Sequence, residues 1–311
     1  MNAQEDISAW EAVVERTLDM IFVMFFFSIC RGMISILIKI NQSRYLFRLK
    51  DSFIFLFVSS LFQIVFLFLM PPYKKLDFRP ELLVYGFAFA VFYLGAFALL
   101  IKAISIGKTG LTNIIYSFNF FVPVIAGVFF WDEGISLFQV FSMLLFGVSM
   151  FLFNFTEIRQ GRENREGILK WMVLCIAASV TIGVAGTVSK QYAMDFEGLY
   201  KEYLILYNFF VLVITLPVMF SYKRSSFAEP KGNGKFFLIT AAIALLQNTT
   251  NIIFMFYVNR YAAASFFPIL NLLSIMSTVI LSAVILKEKN TLPAKIGILT
   301  SLLAIVVVAL E

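Results

Sequence analysis

Histidine is absent from the 311 residues, and cysteine occurs only twice. Without histidine there is no HExxH zinc site, no Ser–His or Cys–His catalytic pair, no histidine-ligated haem and no ordinary pH switch near neutrality. Cys30 and Cys175 sit far apart inside apolar runs, so they form neither CxxC nor a metal cluster and read as small core side chains. Charge is scarce too, at 14% of residues against about 25% in an average soluble domain. Walker A, GxGxxG and EF-hand patterns are missing, which argues against an ATP-driven pump on this chain. Metal and cofactor sites are not expected, and neither is enzymatic activity.

What the chain has in quantity is hydrocarbon. Sixty per cent of it is apolar, close to what ten spans of about 20 residues would use. The remainder serves loops and ends. This composition excludes a soluble enzyme, a nucleic-acid binder and a disordered tail. Lys and Arg outnumber Asp and Glu by 25 to 19, for a net charge of +6. In a bilayer protein such an excess marks loops held in the cytoplasm rather than a nucleic-acid surface.

Residues 1–17 form a polar leader whose Trp10, Val13 and Val14, with Leu18 just beyond, fall at helical spacing, as in a short interfacial helix. The leader lacks the basic start and small-residue cleavage site of a secretory signal. Ten apolar segments follow, at about 18–39, 52–70, 82–104, 109–131, 137–156, 168–189, 201–221, 236–257, 262–286 and 293–310. Polar punctuation separates them, as at Pro71-Pro72 and at Arg159, Arg162 and Arg165 in a connecting loop over 157–167. Backbone in lipid must satisfy its own hydrogen bonds, so continuous runs of Phe, Leu, Ile and Val read as helices and the fold as all-α and membrane-embedded.

The chain also matches itself. Ser28, Gly32 and Lys39 lie over Ser179, Gly183 and Lys190 at a shift of 151. The stretch Phe129 to Leu137 lies over Val284 to Leu292 at a shift of 155, aligning Glu133 with Glu288 and Ser136 with Thr291. Two five-helix repeats follow, 18–156 and 168–311. An odd number of spans per repeat makes the second enter the membrane from the opposite face, and two inverted halves around a midplane site suit alternating access.

The stretch Gly107 to Gln139, with Tyr116-Ser117, Pro123, Trp131-Asp-Glu133 and Ser136-Leu-Phe-Gln139, resembles the drug/metabolite transporter superfamily, in particular its ten-span EamA-like members. Ala262 to Ser265 and Glu288 to Thr291 look like the matching piece of the second repeat. The resemblance runs from about residue 20 to residue 310. It implies fold and broad class, and it leaves the cargo open. The sequence departs from the family at its leader, at Arg31, and at Thr278, where the first repeat has Pro123.

Arg31 falls halfway along a span, where arginine costs about 2.5–3.5 kcal/mol on insertion scales and should face a cavity or a partner. It is a candidate for binding an anionic or zwitterionic substrate, the alternative being that it snorkels to an interface. Segment four offers Asn113, Tyr116 and Asn119, with Thr112 on the face of the last two. Segment eight offers Gln247, Asn248 and Asn251; segment nine offers Asn271 and Ser274; segment three offers Tyr93. Some of these polar groups will only join helices, but by resemblance their spans line the family's central cavity. Glu133 and Glu288 read as gating carboxylates or as members of tight capping turns, with Ser136 and Gln139 forming a capping box and Thr291 an N-cap. Lys39 and Lys190 end their segments and read as interfacial anchors. Gly95, Gly183 and Gly186 permit close helix approach. Segments five and ten are nearly free of central polar groups and suit contact with lipid or with a second copy of the chain.

Together these readings describe a secondary transporter of the cell membrane that carries a small organic metabolite, an amino acid or a related neutral or anionic solute. The alternatives are a non-transporting scaffold or sensor subunit and a flippase for lipid or lipid-linked sugar. An even span count puts both termini on one side, which the family resemblance makes cytoplasmic. The basic residues of loops one-two, five-six and seven-eight favour the opposite orientation.

Overall fold

The computed structural model describes residues 22–41, 49–71, 76–106, 109–155, 168–220, 233–287 and 291–309. The amphipathic leader, the 157–167 loop and Glu288 lie outside these residues. Helix is the only regular secondary structure among those described, apart from short turns. In chain order the helices are α1 (Phe22–Asn41), α2 (Leu49–Leu69), α3 (Pro80–Ile106), α4 (Thr109–Ser117), α5 (Phe121–Phe130), α6 (Leu137–Phe153), α7 (Ile168–Asp195), α8 (Tyr200–Phe220), α9 (Asn233–Tyr257), α10 (Ala263–Ile285) and α11 (Leu292–Ala309). A 3₁₀ turn, Phe118–Phe120, joins α4 to α5 within one span.

Eight spans among the described residues are long and apolar enough to cross a membrane. The helices α6 and α11 are apolar but shorter. At 1.5 Å per residue, the 17 residues of α6 fall a little short of a hydrocarbon core of about 30 Å. The expected segments agree with the helices to within a few residues except at α7, which continues to Asp195 instead of stopping near 189.

Inside a bilayer the lipid is as apolar as leucine, so helices associate through close van der Waals fit and hydrogen bonds rather than through a hydrophobic drive. Small residues set that fit here. A Cβ on Gly32 of α1 would come 2.8–3.0 Å from Leu281 and Ser277 of α10. A Cβ on Gly183 of α7 would come 2.5 Å from the Asn119 carbonyl and 2.6 Å from Val122. The main packing partners are α3 with α7, α2 with α8 and α6 with α11, followed by α3 with α8 and α2 with α9. The α6–α11 pair is joined by polar contacts: Ser142 Oγ donates to the Ala304 carbonyl at 3.0 Å, and Ser149 shares a 2.8 Å hydrogen bond with Thr300. Its outer face carries exposed Leu137, Leu144, Leu299 and Leu303.

Helix ends follow the sequence signals. Ser136 Oγ accepts from the Gln139 backbone N–H at 3.2 Å while Gln139 Oε1 accepts from Ser136 N–H at 2.9 Å, a complete capping box for α6. Thr291 Oγ1 accepts from Ala294 N–H at 3.4 Å at the start of α11. Replacing Ser136 by Ala should lower stability by about 1 kcal/mol, measured as a drop in Tm of the purified protein in detergent. Ser136→Asp, which keeps a capping oxygen, should restore most of it.

The break in the fourth span has a cause in sequence. Pro123 carries no N–H, so the Asn119 carbonyl loses its i+4 donor and the helix tightens to 3₁₀ over three residues. Side chains take up the neighbouring carbonyls. Asn119 Nδ2 donates to Tyr116 O at 2.8 Å, Asn271 Nδ2 to Ser117 O at 3.3 Å, and Ser179 Oγ to Tyr116 O at 3.4 Å. Irregular backbone at membrane depth is tolerated where such partners exist, and here it faces a cavity.

Candidate functional site: a polar cavity at mid-depth

The cavity has a volume of about 430 Å³, within the usual range for small-molecule sites. Both halves of the chain line it. From the first come Arg31 of α1, Ser59 and Gln63 of α2, Tyr93 of α3, and Tyr116 and Asn119 at the broken span. From the second come Ser189 of α7, Tyr203, Tyr207 and Asn208 of α8, Gln247 and Asn251 of α9, and Asn271 and Ser274 of α10. Phe27, Phe89, Phe254 and Phe267 supply apolar wall between them.

One wall is a connected polar network. Ser59 Oγ and Gln63 Nε2 both donate to Gln247 Oε1, at 3.1 and 3.0 Å. Tyr207 OH donates to Gln63 Oε1 at 3.2 Å and accepts from Asn251 Nδ2 at 2.7 Å. These bonds tie α2, α8 and α9 together and fix the amide orientations, as a buried polar network must if it is not to destabilise the core. Facing it, the Arg31 guanidinium lies over the Phe27 ring at 5.4 Å and shares the lining with Tyr93, Tyr116 and Tyr207. Among the described residues, Arg31 is the only charged one in the lining.

The cavity has unlike ends. Ser35, one turn beyond Arg31 on the same face of α1, lines it and is exposed, so it reaches the surface there. At the other end the way is filled. Ser189 shares a 2.8 Å hydrogen bond with Tyr203 OH, Tyr192 stacks on Tyr203 at 4.3 Å, and Tyr85 meets Tyr192 edge-on at 5.6 Å. Beside Ser189, Lys190 is 1% exposed. Its ammonium pairs with Glu133, donates to the Tyr261 carbonyl at 3.0 Å and lies 4.7 Å from the Trp131 ring. The other Glu133 oxygen accepts from Ala263 N–H, the first turn of α10, at 2.6 Å. One carboxylate thus joins the α5–α6 turn, α7 and the α9–α10 turn. A helix N-terminus is a favourable place for it.

Of the residues singled out from sequence, Arg31, Tyr93, Tyr116, Asn119, Gln247, Asn251, Asn271 and Ser274 come together around this cavity. Asn113 does not: it is exposed, in the middle of α4 and outside the lining. Asn248 is buried behind the wall, donating to the Gln63 carbonyl at 2.8 Å. Thr112 is also structural, accepting from Trp171 Nε1 at 2.9 Å. Lys190 is no interfacial anchor. Five further residues of α7 carry the helix past it and bury it in the ion pair.

Residues 169–310 match the EamA-like transporter family model. The match covers the second half of the chain, which is similar to the transporters of that family. Together with the eight long apolar helices among the described residues, the match supports a multi-pass membrane protein. A solved crystal structure superposes on 92% of this chain and 95% of its own with a TM-score of 0.71 at 12% identity, a likeness that shows the fold alone. No match to a curated protein was found.

Gln63, Tyr203, Tyr207 and Asn208, with the lining serines Ser35, Ser59, Ser60 and Ser189, escaped the sequence reading. Gln63 and Asn208 carried a usable signal, a lone amide deep in an apolar helix, where an unpaired polar group is expensive. The tyrosines carried none that separated them from apolar filler.

Proposed function

We propose that this protein is a secondary transporter that moves a small organic solute, neutral or anionic, across the membrane by alternating access. The observation that carries the proposal is the polar cavity at mid-depth, built from both halves, open past Ser35 and blocked at its other end by Lys190–Glu133 and stacked tyrosines. An open end and a blocked end are what one state of such a cycle requires.

Two inverted repeats would make the reverse state equally accessible, and contacts that recur on exchanging the halves support that reading. Gly32 meets Ser277, and Gly183 meets Val122, with the two pairs related by the sequence shifts of 151 and 155. Asp132 and Lys287, the only non-glycine residues with positive φ among those described, at 51° and 55°, are also 155 apart. The α2–α8 and α6–α11 pairings map onto themselves, and α3–α8 maps onto α2–α9. On this reading α6 and α11 complete ten spans, and their outer faces meet lipid or a second copy. The start of α1 and the end of α11 lie on the blocked side of the cavity; the family resemblance places that side in the cytoplasm, and a reporter fused after Glu311 tests it.

Flux provides the functional test. Proteoliposomes loaded with a pooled metabolite extract should lose one class of small solute faster than protein-free vesicles, read by mass spectrometry. Asn271→Ala should slow that loss about tenfold, the equivalent of one buried hydrogen bond, and Asn113→Ala should leave it unchanged. Absence of protein-dependent loss for every solute would overturn the transport reading, and equal rates in both variants would overturn the site.

A further inference from the structure

We infer that the cavity is selective for a small organic monoanion, with its anionic group on Arg31 between the hydroxyls of Tyr93 and Tyr116. This rests on the cavity being the transport site, and it narrows the solute from neutral or anionic to one charge class.

Hydrogen-bond supply around Arg31 is lopsided. Tyr207 OH is engaged by Gln63 and Asn251. For the side chains of Arg31, Tyr93 and Tyr116, by contrast, no hydrogen bond to another described residue is made, and the guanidinium has only the Phe27 ring. A guanidinium offers five N–H donors and no acceptor, and stays charged in any protein environment. Two phenolic O–H groups beside it add donors. Among the described residues, the lining contains no Asp or Glu. Two described carboxylates at the blocked end serve other partners: Glu133 binds Lys190, and Glu202 accepts from Asp77 N–H. The region therefore needs an acceptor carrying negative charge, and the protein does not supply one among its described residues. Arg31 is half-buried in the cavity wall, and a partly desolvated charge that no described side chain pairs is ready to take a ligand anion as its partner.

The rest of the cavity sets the class. A single fixed positive charge balances one negative charge, which disfavours dianions. A zwitterion would bring an ammonium into a lining without a carboxylate. A halide would leave most of the 430 Å³ unfilled. Phe89, Phe254 and Phe267 offer apolar and aromatic contact, and the Asn251 and Asn271 amides recognise a second polar group. The ligand is a carboxylate or similar monoanion on a carbon skeleton of modest size.

The experiment compares matched skeletons on the full-length protein in detergent: benzoate and hexanoate, their primary amides, and benzylamine and hexylamine. The carboxylates should raise Tm by about 5 °C at saturation, and the amides and amines should not. Arg31→Gln should remove that shift while leaving the Tm of the unliganded protein unchanged or higher, because it deletes a half-buried charge that no described side chain pairs. An arginine with a merely structural role would lower it. Arg31→Lys should keep part of the shift. Tyr116→Phe, which preserves ring packing, should weaken carboxylate binding about fivefold and covers the case in which Arg31→Gln does not fold. The inference fails if amides or amines stabilise as well as carboxylates, if no carboxylate shifts Tm, or if the shift survives both variants. Flux separates this failure from failure of the transport reading. Protein-dependent loss of neutral solutes that is indifferent to Arg31→Gln overturns the charge class alone, and carboxylate binding without any flux overturns transport alone.

Discussion

Replacing Gly183 by Val should prevent folding or lower Tm by well over 10 °C, the largest effect expected of any single substitution in this chain. A Cβ at this position would lie 2.5 Å from the Asn119 carbonyl oxygen and 2.6 Å from the Val122 Cβ. The first of these is backbone, held by the 3₁₀ turn and by Pro123 two residues beyond Phe121, so it cannot rotate away as a side-chain end would. Even Gly183→Ala must separate α7 from the broken span, with a cost at or above the roughly 1–3 kcal/mol typical of overpacking. Gly95 provides the internal control. There the nearest neighbour of an added Cβ is Thr181 Cγ2 at 3.6 Å, an ordinary contact. Gly95→Ala should be neutral or stabilising by up to about 1 kcal/mol from helix propensity. Melting curves of the three variants in one detergent decide the matter: similar Tm values for the two alanine variants would show that the α7 approach is not tight.

The second large effect concerns Glu133, and it should be asymmetric. Glu133→Ala leaves the Lys190 ammonium, 1% exposed, with only the Tyr261 carbonyl and the Trp131 ring. Stranding a buried charge in this way costs about 3–5 kcal/mol. Lys190→Met strands a carboxylate that is 19% exposed and still accepts from Ala263 N–H, so it should cost distinctly less. The double variant should be more stable than the sum of the two predicts, because the pair acts as a unit. Thermal or urea unfolding of the four proteins gives the coupling directly. Additive losses would mean that Lys190 and Glu133 do not depend on one another. On the alternating-access reading the same loss at the blocked end should also speed exchange between states.

Much of this was legible in the sequence because hydrocarbon punishes polar groups. Arg31, Tyr93 and Gln247 stand out inside apolar runs, and the bilayer leaves such residues few places except a cavity or a partner. The same rule applied to Gln63 and Asn208, but each is isolated among Phe, Leu and Val, and attention to polar clusters passes over single residues. Lys190 was misread for a geometric reason. A lysine near the end of an apolar run looks interfacial until the helix is known to continue through polar residues to Asp195. Asn113 and Asn248 show the limit in the other direction. They sit among site residues in sequence, but one is exposed outside the lining and the other is on the back of the wall, and a polar cluster does not reveal which side of its helix faces the space. The Glu133 contacts with α7 and α10 join segments far apart in the chain, so only tertiary structure could supply them.

Arg31 is the tenth of the twenty residues in α1, which has an electrical consequence. A full elementary charge crossing a membrane at 100 mV involves about 2.3 kcal/mol. If the aqueous access passes from one side of Arg31 to the other, the empty carrier turns over with one uncompensated positive charge in the field, whereas the carrier holding a monoanion turns over nearly neutral. Membrane voltage would then act on the return of the empty protein and scarcely on the loaded step, making it a brake or an accelerator on the cycle without any coupling ion.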